Sequence, residues 1–248
     1  MSTIYIMWLR QIKRYLRSKS RIVGSLGQPL LFLLALGYGF GPTFQKAGQG
    51  NYIYFLVPGV IAMTVLFSSV FFGIEIIWDR QFGFLKETMV APVSRFNIML
   101  GRTLGGATVS SIQGLIVFCI SLLVGFRPAN WLMVLPMFLI MFLISLLFTS
   151  LGTAIASKME DMHGFQLIMN FLIMPLFFLS GALFPLNNLP KTISVITRFN
   201  PLSYGVDALR GVLINGAHFG LGLDILVLSV LTLFFLGLGS FLFSKIQI

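Results

Sequence analysis

The chain has 248 residues, of which 57% are hydrophobic and only 10% charged, with a mean hydropathy of +0.94. A soluble domain carries about a quarter charged residues, so water is excluded as the solvent for most of this surface. At about 20 residues per spanning helix, the length holds several spans and leaves no sizeable soluble domain. The formal charge of +10 raises nucleic acid as a partner, but the cations gather at the margins of apolar runs, the pattern that sets membrane topology, so no nucleic-acid partner is expected.

Residues 1–21 read as an amphipathic helix. Ile4, Trp8, Ile12 and Tyr15 recur on one face, and Arg10, Arg14, Arg17 and Arg21 on the opposite one. Such a helix lies in the inner interface, with arginines toward anionic lipids and Trp8 and Tyr15 at headgroup depth. It serves as a topology anchor or, in addition, as a brace for a cytosolic partner. A signal peptide is a poor reading, because the following apolar run is too long and no small-residue cleavage site closes it.

Six uncharged or nearly uncharged stretches follow, at 22–41, 52–78, 103–126, 131–157, 165–186 and 222–244. Each is long enough to cross a bilayer, and only helices satisfy the backbone within one such segment. The alternation of a membrane barrel is absent. Cys119 lies inside an apolar run and reads as a small core residue. Placing the N-terminus inside puts about 12 of the 17 lysines and arginines on the cytosolic side and about 5 outside. Both termini are then cytosolic, in a multi-pass protein of the cytoplasmic membrane.

Two connections carry information beyond topology. The inner loop 79–95 opens Asp79-Arg80-Gln81-Phe82-Gly83-Phe84-Leu85-Lys86-Glu87, mixing four charges with exposed aromatics. Apolar anchors with a polar rim suit a surface that docks another protein; an interfacial loop with its aromatics in headgroups is the plainer alternative. The outer connection 187–221 holds two short helix signals. Leu189-Pro190 opens one, and Asn200-Pro201 opens another that runs to about Ile214 and stops at Asn215-Gly216. Tyr204 lies on the second, where Asp207 and Arg210 are spaced to pair. This pair of helices dips into the outer leaflet or lies on the surface as a hairpin.

Charge is absent from the middle of every expected span, which weakens an ion-driven or proton-driven carrier. Glu75 comes nearest and reads as an interfacial carboxylate paired with Arg80 or Arg102, with a mechanistic switch as the alternative. Glu160, Asp161 and His163 lack the spaced geometry of a zinc site, and no metal is expected. No G-x-x-x-x-G-K-[ST] loop occurs, so ATP hydrolysis is not expected of this chain. Gly37-Tyr38-Gly39 ends a span and does not follow a pore helix, unlike a potassium filter. The spacings Gly37/Gly41, Gly101/Gly105 and Gly216/Gly220 permit close helix approach within or between chains.

Three ordered stretches resemble the membrane permeases of ABC exporters of the type-2 integral-membrane class, in particular the branch exporting drugs, antibiotics and lipo-oligosaccharides. They are Phe55-Leu56-Val57-Pro58-Gly59; Asp79 to Lys86 continuing through Ala91-Pro92-Val93-Ser94-Arg95; and Phe178-Leu179-Ser180-Gly181-Ala182-Leu183-Phe184-Pro185 with Asn200 to Gly211. Gln81 departs from the glutamate of many members. The resemblance implies an all-α membrane fold: one transmembrane domain over 1–248, six spans, an N-terminal connecting helix, a coupling helix after the second span, and re-entrant outer helices before the sixth. It implies a coupling role for Asp79 to Glu87, a second contact through Arg10 to Arg21, and an outer segment containing Asn200, Pro201, Tyr204, Asp207 and Arg210. It further implies a homodimer of permeases over two separate ABC ATPase subunits, which hold the ATP and Mg2+; this chain binds no cofactor itself. The expected cargo is a drug, lipid or lipid-linked glycan. The alternatives are an ATP-independent channel or carrier, suggested by the glycine-rich helices, and a membrane scaffold, for which the basic N-terminus alone suffices.

Overall fold

A computed structural model describes residues 2–46, 50–90, 92–185 and 190–246, with the side chains of Arg21 and Thr192 also outside the described residues. Ala91, Asn187 and Leu189, all used in the sequence reading, therefore lie outside them. The regular structure among the described residues is entirely helical: α1 (Thr3–Arg17), α2 (Lys19–Lys46), α3 (Tyr52–Phe71), α4 (Ile74–Gln81), α5 (Phe84–Val90), α6 (Arg95–Leu123), α7 (Val134–Ala156), α8 (Met162–Phe178), α9 (Lys191–Phe199), α10 (Pro201–Ile214) and α11 (Leu221–Ser244).

Five helical stretches are long and apolar enough to cross a bilayer: Ile22–Lys46, Tyr52–Gln81, Arg95–Leu123, Trp131–Ala156 and Leu221–Ser244. The stretch expected over 165–186 instead forms the 17-residue α8. The reason is local. Ser180 Oγ donates to the Phe177 carbonyl and accepts from the Ala182 N–H, and Gly181 turns the chain away at φ 78°. At the other extreme, α6 begins at Arg95, well before the expected 103, because Arg95 and Arg102 have tertiary partners and their charges need not end the helix.

The regular helix of the second span is interrupted between α3 and α4 at Phe72-Gly73, where the Phe72 and Gly73 N–H groups donate to the Ser69 and Val70 carbonyls. A Cβ on Gly73 would overlap the Gly152 carbonyl of α7, and one on Gly152 would overlap the carbonyl of Val70. The two glycines thus let backbone meet backbone at this point. Lipid tails are as apolar as leucine, so helices in a bilayer are held by close packing and interhelical hydrogen bonds, for which small residues are needed. Ser110 donates to Ser68 at 2.9 Å, linking α6 to α3, and Ser111 and Ser145 lie 3.2 Å apart, linking α6 to α7.

α3 is the centre of the packing, with 78% of its apolar window buried against 17% for the first and last spans. Leu56, Val60, Ile61, Val65 and Leu66 of α3 meet Ile144 and Phe148 of α7 and Leu209 of α10 in one core. The outer helices α2 and α11 consequently show broad apolar faces. Cys119, expected in the core, is exposed on α6; its apolar run reflects an apolar environment around the molecule, not an interior position.

The glycine pairs divide. Gly101 and Gly105 of α6 receive α1, since added Cβ atoms would lie 2.7 Å from the Ile4 carbonyl oxygen and 2.6 Å from Gln11 Cβ. Gly37 touches Ile53 of α3, whereas Gly41 meets nothing nearby. Gly216 and Gly220 lie in the link between α10 and α11, where Gly220 has φ 103°.

Candidate functional site

The residues singled out from the sequence gather at two opposite ends of the bundle. One end is basic, and α1 is its organising element. Its buried stripe, Met7, Gln11 and Tyr15, packs on α6 over Gly101 and Gly105, and Trp8 Nε1 donates to Thr108 Oγ1 at 3.0 Å. The apolar face expected at the membrane interface is therefore largely spent on α6. That docking turns Arg10 and Arg14 toward α4: Arg10 lies 3.7 Å from Asp79, and Arg14 lies 3.6 Å from Glu75 and 3.8 Å from Asp79. From α6, Arg102 forms an ion pair with Asp79 at 2.7 Å and donates through Nη2 to the Glu75 carbonyl at 3.2 Å.

Glu75 and Asp79 are each only 3% exposed. A buried carboxylate is tolerated when it is paired, and here three arginines from two helices supply the pairing. The sequence expectation for Glu75 is corrected in one respect: Arg14 forms an ion pair with it, Arg102 reaches its main-chain carbonyl, and Arg80 points elsewhere. Arg80 donates to the carbonyls of Ser157 and Met159, at 3.2 and 3.1 Å, where α7 ends and the dipole favours a cation. Gln81, the departure from the family pattern, donates to the Glu160 carbonyl at 2.8 Å. Arg17 is exposed, and the Arg21 side chain lies outside the described residues.

Beyond Gln81 the chain projects as a knob. Gly83, at φ 80°, turns α4 into α5. Leu85 anchors the turn at 1% exposure, while Phe82 and Phe84 stand 60% and 51% exposed beside the exposed Lys86 and Glu87. The stretch Asp79 to Glu87 thus divides into a clamped root and an apolar, charged tip. Arg95 adds a tie that the sequence did not suggest, donating to the carbonyls of Ser244 and Ile246 at the end of α11. Near the knob, Asp161 caps α8: its carboxylate accepts from the N–H groups of Gly164 and His163. The Gly164 bond, foremost, holds this carboxyl below its ordinary range.

The other end joins the first and third family-like stretches. Asn200 caps α10 by accepting from the Leu202 N–H and donates to the Leu176 carbonyl of α8, with Pro201 in the first turn. Gly59 of α3 lies directly against the backbone of Ala182, and Tyr52 donates to the Leu183 carbonyl at 3.0 Å. Tyr204 donates to the Arg198 carbonyl and stacks obliquely near Phe219. α10 closes with Asn215 in the left-handed conformation. The spacing of Asp207 and Arg210 suggested that they could pair; both are buried, and each makes its hydrogen bonds to other groups. Asp207 accepts from the N–H groups of His218 and Phe219, each at 2.7 Å, and Arg210 donates to the Gly181 carbonyl and lies 4.0 Å over the Phe55 ring.

The chain as a whole has relatives among known proteins. Residues 2–214 match the family described as ABC-2 type transporter. The chain is 28% identical to Nodulation protein J of Rhizobium meliloti, covering 87% of this chain and 83% of that protein. It is 27% identical to a protein of Cyanophora paradoxa named as a transport permease, ycf38, over 84% of this chain and 72% of the other. A third relative, from Mycobacterium tuberculosis and named as the doxorubicin resistance ABC transporter permease protein DrrC, is 26% identical over 84% of this chain and 75% of its own length. With an all-helical bundle, five apolar helices of spanning length and this match over most of its length, the chain belongs to the ABC-2 type transporter family and is a membrane transport permease.

Proposed function

We propose that the chain is the membrane subunit of an ATP-driven exporter whose ATPase is a separate polypeptide, with the basic end in the cytosol. The knob at Phe82 and Phe84 carries this reading. A tip that exposes two phenylalanines between Lys86 and Glu87 has the composition of a docking hot spot. Its root is tied through Asp79 and Glu75 to α1 and α6, so a push on the tip reaches the spans as movement of packed helices. Arg10, Lys13 and Arg17 on the open side of α1 border a shallow basic groove that supplies a second contact for the ATPase or for anionic lipids.

In this assembly two permease copies stand over two ATPase subunits, the exposed apolar faces of α2 and α8 meeting lipid or the second copy. α9 and α10 form the outer re-entrant segment. ATP and Mg2+ are held by the ATPases. The cargo is a hydrophobic or amphipathic molecule, a reading supported by the doxorubicin resistance in the name of one relative. Affinity isolation of the tagged chain from its native membranes tests the assembly. The expected result is co-isolation of a nucleotide-binding subunit, weakened but not abolished in the Phe82→Ala/Phe84→Ala variant. Nucleotide-independent transport by the chain alone in liposomes would overturn it.

A further inference from the structure

Between α2, α3 and α6 lies a cleft of about 250 Å³ that the family-like stretches do not touch. Its position along the helices sets its depth. Gly24, Ser25 and Gln28 lie in the first part of α2, next to the basic end, and Thr64, Ser68 and Phe71 lie in the last part of α3, which runs toward that end. Gln113 comes from the middle of α6. The cleft therefore sits in the half of the spans nearer the basic end.

Its lining is polar and uncharged on one side and apolar on the other. Ser25, Gln28, Thr64, Ser68 and Gln113 face Pro29, Met63, Phe67 and Phe71. Gln113 is only 3% exposed, and its carboxamide oxygen Oε1 has no hydrogen-bond partner among the described residues. A buried acceptor without a donor costs about 1–3 kcal/mol, so its presence beside a cavity needs a reason. Ser25 and Thr64 already donate to the Ile22 and Val60 carbonyls of their own helices, and Ser68 accepts from Ser110. Gln113 is thus the acceptor in the cleft that waits for a donor. Gly24 and Gln28 are exposed at the edge and make the mouth.

We propose that this cleft binds the head of an uncharged amphiphile bearing hydroxyl or amide donors, entering sideways from the leaflet at the basic end. An ionised head would find no counter-charge in the lining, and burying an unpaired ion is far costlier than burying a hydroxyl that hydrogen-bonds. Pockets that enclose a drug-sized ligand span roughly 300–1,000 Å³. The cleft is smaller, so it takes one ring or head group and leaves an alkyl tail along Phe67, Phe71 and the bilayer. The proposal deepens the exporter reading by naming the substrate class, and rests on it only for the statement that the bound molecule is cargo.

The test uses the full chain in nanodiscs without any ATPase, so its failure is separate from failure of the exporter reading. The probe is a dodecyl glucoside with a photoreactive diazirine in its alkyl chain, and the labelled peptides are mapped by mass spectrometry. Labelling is expected to concentrate on α2, α3 and α6 around Gln28, Phe67 and Gln113. Unlabelled dodecyl glucoside should compete and dodecyltrimethylammonium should not. Gln113→Leu, which keeps the volume and removes the acceptor, should lower labelling about tenfold. Gln28→Leu, at the exposed mouth where folding is not at risk, should lower it several-fold. Labelling spread evenly over the lipid-facing helices, equal competition by the cation, or no change in both variants would overturn the proposal; a cleft filled by water alone gives that pattern.

Discussion

The two ends of the bundle solve the same problem, polar groups held at the margins of apolar helices, with different chemistry. At the basic end, side-chain ions pair across elements distant in sequence: Arg14 with Glu75, and Arg10 and Arg102 with Asp79. At the opposite end, Asn200, Ser203, Arg210 and Tyr52 each donate to a main-chain carbonyl of the segment after or within α8, and Asp207 accepts main-chain N–H groups. The difference follows from what each end must hold. Irregular backbone at 179–185 is folded into the bundle and must find partners there, whereas the basic end fixes whole helices to one another and leaves the tip at Phe82 and Phe84 free. Ion pairs build the root of the knob, and carbonyl bonds seal the opposite end.

Breaking the basic end should cost most. Arg102→Ala leaves Asp79 with its closest cation gone, and removing one partner of a buried pair typically costs about 3–5 kcal/mol. Unfolding in mixed detergent micelles should show that loss, with partial recovery in Arg102→Lys; a change near zero would mean that Arg10 and Arg14 suffice. At the other end, Gly59→Ala forces a methyl into the Ala182 backbone and is expected to destabilise by about 1–3 kcal/mol. The same unfolding assay measures it, and Gly39→Ala, where nothing lies nearby, is the control. Asn200→Ala removes both the cap of α10 and the bond to Leu176, a smaller loss of about 1–2 kcal/mol. Arg10→Ala should change stability least, within about 1 kcal/mol, because its side chain is 39% exposed and solvent screens the 3.7 Å contact.

Local signals made much of this architecture readable. Apolar runs located the long helices, and α10 spans Pro201–Ile214, set by an asparagine cap, a proline in the first turn and an Asn-Gly stop, each acting within a few residues. What the sequence left unread depends on neighbours brought in by the fold. Nothing in the spacing of Asp207 and Arg210 says that one takes the His218 and Phe219 amides while the other reaches Gly181. Hydropathy cannot separate a helix facing lipid from one facing protein, which is why Cys119 is exposed within an apolar run. The spacing Gly101/Gly105 announced a close approach without naming α1 as the partner. The tip at Phe82 and Phe84 was legible as an apolar and charged mixture; its clamped root was not, because Arg10 and Arg14 precede Asp79 by more than sixty residues.

The division between a clamped root and a free tip is tested most directly by ATP hydrolysis in the assembly isolated from native membranes. Phe82→Ala/Phe84→Ala should leave the unfolding of the chain within about 0.5 kcal/mol of the parent, as expected for exposed positions, while permease-stimulated hydrolysis falls about tenfold or more. Stimulation at the parental level, with the ATPase still bound, would contradict the account.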